Sequence, residues 1–210
     1  MKHWSIVLAL LLLSWGNSVR GAEKRPNLVV IKTDDQAEWS LGCYGNKESK
    51  TPTLDKLAAQ GARFTNAFVV TPVCSPSRAT SMTGLHSTQF HIPDWISPAQ
   101  GEAGLGLDPA LPTWPKVLQA NGYHTGLVGK WHLGTQPKYH PTSNGFHFFA
   151  GHLEGGWIPK QPVLEIDGKP TKIAGFCVDR TADDALHFLD ASKGKPFALC
   201  VHFRAWFKVG

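Results

Sequence analysis

The chain has no apolar stretch long enough to span a bilayer as a helix. Its longest uninterrupted run, Ile6 to Leu13, falls far short of the roughly 20 residues that a span requires. No two of its cysteines stand in C-x-x-C spacing, which argues against a structural zinc site. There is no run of lysine or arginine, so a nucleic-acid footprint is missing. Internal repeats and linker-like tracts are also missing. Glycine (21) and proline (15) stay below the range of low-complexity chains, and a hydrophobic content of 42% over 210 residues suffices for a packed core. This leaves one globular domain, or one and a half.

The first residues are arranged as an export signal. Lys2 and His3 form a polar start, Ile6 to Leu13 an apolar centre, and Ser18, Gly21 and Ala22 a small-residue end. Val19 and Gly21 suit a small-x-small cleavage site, so residues 1–22 are expected to be removed, leaving 23–210 as the folded part. The competing reading is an uncleaved N-terminal anchor. The formal net charge of +5 falls to +3 without residues 1–21, which hold Lys2, Arg20 and no acid. A mildly positive field suits anionic substrates. In an exported chain, Cys43, Cys74, Cys177 and Cys200 could form two disulfides by three connectivities.

Periodicity predicts alternating strands and helices. Leu28 to Ile31, a continuous apolar run, reads as a strand buried on both faces. Thr51 to Gly61 reads as a helix, with Thr51 at the N-cap, Pro52 in the first turn and Gly61 after the end. Ala62 to Val70 is expected to be a strand. Helices are expected from just after Pro76 to about Gly84 and from Thr113 to Ala120. Tyr123 to Val128 reads as a second buried strand, and Asp167-Gly168 as a hairpin turn. Arg180 to Asp190 carries Ala182, Ala185, Leu186 and Leu189 at helical spacing, and Pro196 to Val201 makes a last strand. The pattern gives an α/β fold with a mostly parallel sheet flanked by helices, in which ligands collect at the carboxyl ends of strands.

Several polar residues fall at such ends. Asp34 and Asp35 follow the first strand, and paired carboxylates supply the oxygens that calcium or magnesium prefers. A loop with a capping Asp is the plainer alternative. Cys74, close before Pro76, stands at or near a helix N-terminus, where the dipole favours anions. It can be a structural or disulfide cysteine, or a nucleophilic thiolate. Arg78 lies one helical turn on, on the same face, where it can hold an oxyanion or simply face solvent. Lys130 and His132 alternate along an extended segment and so share one side. The lysine offers charge and the histidine proton transfer near neutral pH. Of the other histidines, His152 follows an aromatic strand and is the one that could approach the site; His86, His91, His124, His140, His147 and His187 read as packing or surface residues.

Cys74-Ser75-Pro76-Ser77-Arg78, with Thr83-Gly84 after it, resembles the first signature of the type I sulfatases, within the alkaline-phosphatase-like superfamily. Gly122-Tyr123-His124-Thr125, running on to Gly129-Lys130-Trp131-His132-Leu133-Gly134, resembles the second. Thr33-Asp34-Asp35-Gln36 matches the family's first metal-binding stretch. The resemblance covers nearly all of residues 25–205. It implies that Cys74 is oxidised to formylglycine by a maturation enzyme, and that the aldehyde hydrate attacks the sulfur of a sulfate ester. It further implies a calcium ion (magnesium as the alternative) on Asp34, Asp35 and modified residue 74, and Arg78 and Lys130 holding the hydrate and the developing charge. His132 is then the proton acceptor on the hydrate. The expected partner is a sulfated small molecule or carbohydrate, with phosphonate or phosphodiester hydrolysis as the alternative reaction.

The match breaks near the C-terminus. Where the family has Pro-His at the end of the last strand, Trp206-Phe207 follow Ala205, and His202 lies five positions too early to take that histidine's role. The family's second metal pair, a later sulfate-binding lysine and a smaller C-terminal subdomain have no counterpart here. The expectation is therefore an incomplete N-terminal α/β domain, produced by a frameshift, a misassembled gene or an early stop, that is poorly soluble and nearly inactive alone; an inactive fragment is the non-enzyme alternative.

Overall fold

A computed structural model describes residues 25–156 and 158–204. The expected leader and the departure after Ala205 lie outside these residues. Six strands form one sheet in the order β1-β6-β2-β3-β4-β5: β1 Leu28–Lys32, β2 His124–Lys130, β3 Phe148–His152, β4 Val163–Ile166, β5 Lys169–Lys172 and β6 Phe197–His202. The pairs β1/β6, β6/β2 and β2/β3 are parallel, whereas β3/β4 and β4/β5 are antiparallel. The mostly parallel α/β sheet is as expected, with the Asp167-Gly168 hairpin as its antiparallel end. Both turn residues have positive φ (50° and 73°), as a two-residue hairpin requires.

Helices lie on both faces. They are α1 Pro52–Gln60, α2 Cys74–Thr83, α3 Pro98–Glu102, α4 Trp114–Ala120 and α5 Cys177–Ala191. The alternation of β2 and β6 divides the core. Leu127 and Cys200 pack on one side with Ala79 and Met82 of α2, Trp131 and Phe146; Val128, Leu199 and Val201 pack on the other against Ala185 and Phe188 of α5. Gly126 of β2 permits that second contact, since a Cβ there would come within 2.4 Å of the Phe188 ring.

Several expectations are corrected. β1 forms, but is not buried on both faces: Leu28, Val29 and Ile31 are 41%, 47% and 60% exposed, because β6 is its sole neighbour in the described sheet. Residues 62–70 form no strand, and Phe64, Phe68, Val69 and Val70 stand exposed. Helix α2 starts at Cys74 itself, two residues before Pro76, and ends on left-handed Gly84. At α1, Thr51 makes no side-chain cap bond and Gly61 is extended rather than left-handed. Its hydroxyl instead accepts from the Gly42 amide (2.9 Å) and donates to Asp55 (3.0 Å). Helix α5 buries Thr181, Asp184, Ala185 and Phe188; Ala182 and Leu186 face outward. All four cysteines are free thiols, so none of the three disulfide connectivities is present. No helix among the described residues is long and apolar enough to cross a membrane.

Candidate active site

The parallel register aligns the carboxyl ends of four strands. Lys32 of β1 pairs with His202 of β6, His202 with Gly129 of β2, and Lys130 with His152 of β3. Asp34 and Asp35 follow β1 directly. Gly129 has φ +96°, and a Cβ on it would stand 2.1 Å from the His202 carbonyl oxygen. Glycine here therefore permits both the turn in β2 and the close approach of β6 that present Lys130 to the site.

Asp34 is the hub of the cluster. Arg78 Nη2 (2.9 Å) and Lys130 Nζ (3.0 Å) both donate to its Oδ2. Arg78 and Lys130 are 3% and 4% exposed, so this is a nearly buried triad. Arg78 Nη1 also donates to the Lys130 carbonyl at 2.7 Å. Burial pushes the Asp34 carboxyl up, but Lys130 and Arg78 outweigh it and hold it below the ordinary carboxylate range. Burial acts against the charge on Arg78, and Asp34 opposes it. With Lys32 and Asp35 lining the same cavity, three cations face two carboxylates, a formal excess of one positive charge that suits an anion.

Cys74, the first residue of α2, opens with Ser77 and Arg78 into a cavity of about 480 Å³ that Lys32, Asp34 and Asp35 also line. The structure thus brings together Asp34, Asp35, Cys74, Arg78 and Lys130 as the sequence predicts. Arg78 is buried and aimed at Asp34, not a surface arginine. Asp35 has φ 51°, a left-handed conformation that acidic residues tolerate better than most.

His132 departs from expectation. Its φ of 59° ends the extended segment on which the alternation with Lys130 was argued, although the ring still feels Lys130, Arg78 and Asp34 electrostatically. The ring lines a second cavity instead, and its Nε2 donates to the Ile96 carbonyl at 2.9 Å. That bond leaves Nδ1 as a buried lone-pair nitrogen with no hydrogen-bond partner among the described residues. Burial above all, partly offset by the Ile96 carbonyl and reinforced by Lys130 and Arg78, brings its pKa down to about 4. His132 is accordingly neutral near pH 7.

Two groups escaped the sequence reading. His202, fully buried, places Nδ1 3.1 Å from the Lys130 carbonyl and 3.2 Å from Arg78 Nη1, so by tautomer it either donates to the carbonyl or accepts from the guanidinium. Burial, then Arg78 and Lys32, hold its pKa well below the ordinary histidine value. Lys32 lines the Cys74 cavity and donates to Ser81 Oγ; desolvation first, then Arg78, lower its pKa to about 8. Nothing in a strand-end lysine marks this in sequence. His152, the outside candidate, does lie in the electrostatic neighbourhood: burial, then Lys130 and Arg78, bring it to about 3.

A hard dication fits these residues in part. Asp34 and Asp35 supply carboxylates at the mouth of the Cys74 cavity, but no group of three or more His, Cys, Asp or Glu among the described residues forms a cage. Calcium takes 6–8 oxygens, so two carboxylates are a partial set.

Fold and cluster together define an α/β domain with a cationic, anion-accepting cavity at the carboxyl ends of parallel strands. A family profile described as Sulfatase matches residues 26–205, and the chain belongs to the sulfatase family. It is 34% identical over 202 residues to an N-acetylglucosamine-6-O-sulfatase of Bacteroides thetaiotaomicron, covering 94% of this chain and 33% of that protein. To human arylsulfatase A it is 42% identical over 144 residues, covering 68% of this chain and 27% of that one. Among solved structures, Ps i-CgsB in complex with k-i-k-neocarrahexaose superposes with a TM-score of 0.81 at 30% identity over 89% of this chain and 46% of that chain. A structure in complex with its substrate D-glucosamine-2-N,6-O-disulfate superposes with a TM-score of 0.72 at 32% identity over 86% of this chain and 34% of that chain. The chain spans about a third of the length of the curated relatives it matches.

Proposed function

We propose that this chain carries the nucleophile-bearing part of a sulfuric ester hydrolase. The observation behind the reading is the Asp34 carboxylate shared by Arg78 and Lys130 beside the cavity into which Cys74 opens. Converted to formylglycine by a maturation enzyme, as the family resemblance implies, residue 74 supplies a hydrated aldehyde as nucleophile. Asp34 and Asp35 would hold calcium, or magnesium, which supplies Lewis-acid polarisation of oxygen when bound.

The remaining roles belong to the chain itself. Lys130 and Arg78 present fixed positive charge to a tetrahedral anion, and their burial strengthens each contact relative to water. Asp34 keeps the two cations at one point and prevents their mutual repulsion from spreading them. His202 braces Arg78 against the Lys130 carbonyl. The resemblance gives His132 the proton-acceptor role, and Nδ1 has the lone pair for it; a pKa near 4 makes the ring a weak base in that role. The substrate class follows the relatives: sulfated carbohydrates or small sulfated molecules, met outside the cytoplasm after removal of residues 1–22, with residues 23–210 forming the N-terminal part of the catalytic α/β domain. The test compares matched aryl sulfate and aryl phosphate esters with the matured protein. A preference for the sulfate, lost in Arg78→Ala and Lys130→Ala, is expected. Preference for the phosphate ester would overturn the assignment in favour of a phosphodiester-type relative.

A further inference from the structure

Lys32, the last residue of β1, is tied to the helix that bears Cys74. Its Nζ donates to Ser81 Oγ at 2.5 Å. The Ser81 hydroxyl gives its own proton to the Arg78 carbonyl at 2.9 Å, which leaves the oxygen lone pairs for the ammonium. The Ser81 carbonyl accepts from Trp114 Nε1 at 2.9 Å, so α4 holds the same residue from another side. Two residues beyond Lys32, Asp34 accepts from Arg78 Nη2 at 2.9 Å. Residues 32 and 34 thus meet residues 81 and 78, two rungs in antiparallel order between the end of β1 and α2. Cys74, Arg78 and Ser81 stand at i, i+4 and i+7 of that helix, on one face. The rungs differ in what they fix. Arg78 reaches Asp34 through a long side chain with several rotatable bonds, so that rung pins the guanidinium and constrains the helix backbone only loosely. Serine has a single torsion before its oxygen, so the Lys32 rung pins the backbone itself. Ser81 is exposed and Lys32 half-buried, so this rung competes with water and adds little to global stability. Its value lies in alignment.

Resting on the sulfatase reading above, we propose that Lys32 is a positioning residue: acting through Ser81, it holds the Arg78 turn of α2 in register with β1, so that residue 74 and the Arg78 guanidinium address one anion. The guanidinium is held to the sheet side by Asp34 and the Lys130 carbonyl. Residue 74 has no such tie and moves with the helix backbone. A slip of α2 along β1 would therefore part the nucleophile from the cation that stays behind. The Lys32 rung opposes that slip. A misplacement of about 1 Å at a reacting centre can cost on the order of 100-fold in rate. A lysine that acted by charge alone would need no partner on α2, and Ser81 tells the two cases apart.

The test compares Lys32→Met, Ser81→Ala and the hydroxyl-bearing Ser81→Thr in the full matured chain. Arg78 Nε is buried and has no hydrogen-bond partner among the described residues, so hydrogen exchange at this N–H, followed by heteronuclear NMR, reports how firmly the Arg78 turn is seated. Exchange is expected to quicken by about tenfold in Lys32→Met and in Ser81→Ala, and to stay at the original rate in Ser81→Thr. The double variant Lys32→Met/Ser81→Ala should be no worse than either single one, because both remove the same rung. With 4-nitrophenyl sulfate, kcat should fall by about tenfold in the two single variants while KM changes by less than about threefold. Unchanged exchange in both variants overturns the proposal. Quickening in Lys32→Met alone also overturns it, since the lysine then acts by charge and not through Ser81. So does faster exchange with kcat unchanged in an active protein, which would leave a purely structural bond. The exchange result does not depend on which ester is preferred, so it separates this proposal from the sulfatase assignment. The expected exchange pattern supports the tether even in a protein that turns nothing over.

Discussion

Asp34 carries more structural consequence than any other residue of the site. Its Oδ2 is the common acceptor of two nearly buried cations, so replacing it leaves both without their counter-charge. Removing one partner of a buried ionic cluster is far costlier than never having built it. Asp34→Asn should therefore lower unfolding stability by about 3 kcal/mol, read from urea denaturation. A loss below about 1 kcal/mol, the range of an exposed pair, would mean that water already screens the triad. Asp34 and Asp35 stood out in sequence because they follow a strand, and Cys74 because it opens a helix; Arg78, inside α2, and Lys130, the last residue of β2, were marked by the motif resemblance. The hub was not, since no spacing rule brings residues 34, 78 and 130 to one oxygen atom. For His132 the argument from alternation does not apply, because it predicts a side of the strand only while the backbone stays extended, and its positive φ breaks the rule.

At the scale of elements, the seam between β2 and β6 decides whether Lys130 reaches the cavity. Gly129 sits there with positive φ and with the His202 carbonyl 2.1 Å from where a Cβ would be. Neither fault is cheaply relieved, because the obstacle is backbone. Gly129→Ala should cost about 3 kcal/mol or more through strain and overpacking, or prevent folding, whereas Gly156→Ala should leave the thermal midpoint nearly unchanged. Equal midpoints for the two variants would contradict the close-approach argument. Local turn chemistry was readable where Gly84 closes α2 and where Asp167-Gly168 turns β4 into β5, but not at α1, where Thr51 and Gly61 do not cap as expected. Residues 62–70 misled because an apolar stretch reads as a strand only if a neighbour supplies hydrogen bonds, and none of the six described strands includes them. Leu28 to Ile31 did form a strand, yet its burial depends on what covers β1, which its own residues cannot encode.

For the whole molecule, the strand-end arrangement concentrates histidines that burial keeps neutral. Burial holds His132 near 4 and His152 near 3 and lowers His202 well below the ordinary value, while His124 shifts the same way by desolvation. All four bind protons more weakly folded than unfolded, so their contribution is fully present above the unfolded value near 6.5 and is lost as pH falls toward the folded values. Each of the three deeply buried rings can contribute up to about 1.4 kcal/mol per pH unit across that window. The denaturation midpoint should accordingly drop between pH 6.5 and 4, and a flat midpoint across this range would show that the rings are solvated. The fold class was readable from the alternation of elements alone; the alignment of four strand ends needed the register.

The central claim is that this domain is built around a nucleophile made from Cys74, and it is tested most directly by the mass of the tryptic peptide spanning residues 64–78, taken from protein co-produced with a formylglycine-generating enzyme. Conversion of the thiol-bearing side chain to an aldehyde lowers that mass by about 18 Da, and this is the predicted result. A peptide found wholly at the unmodified mass would contradict the account, leaving a sulfatase-family fold whose residue 74 is an ordinary cysteine.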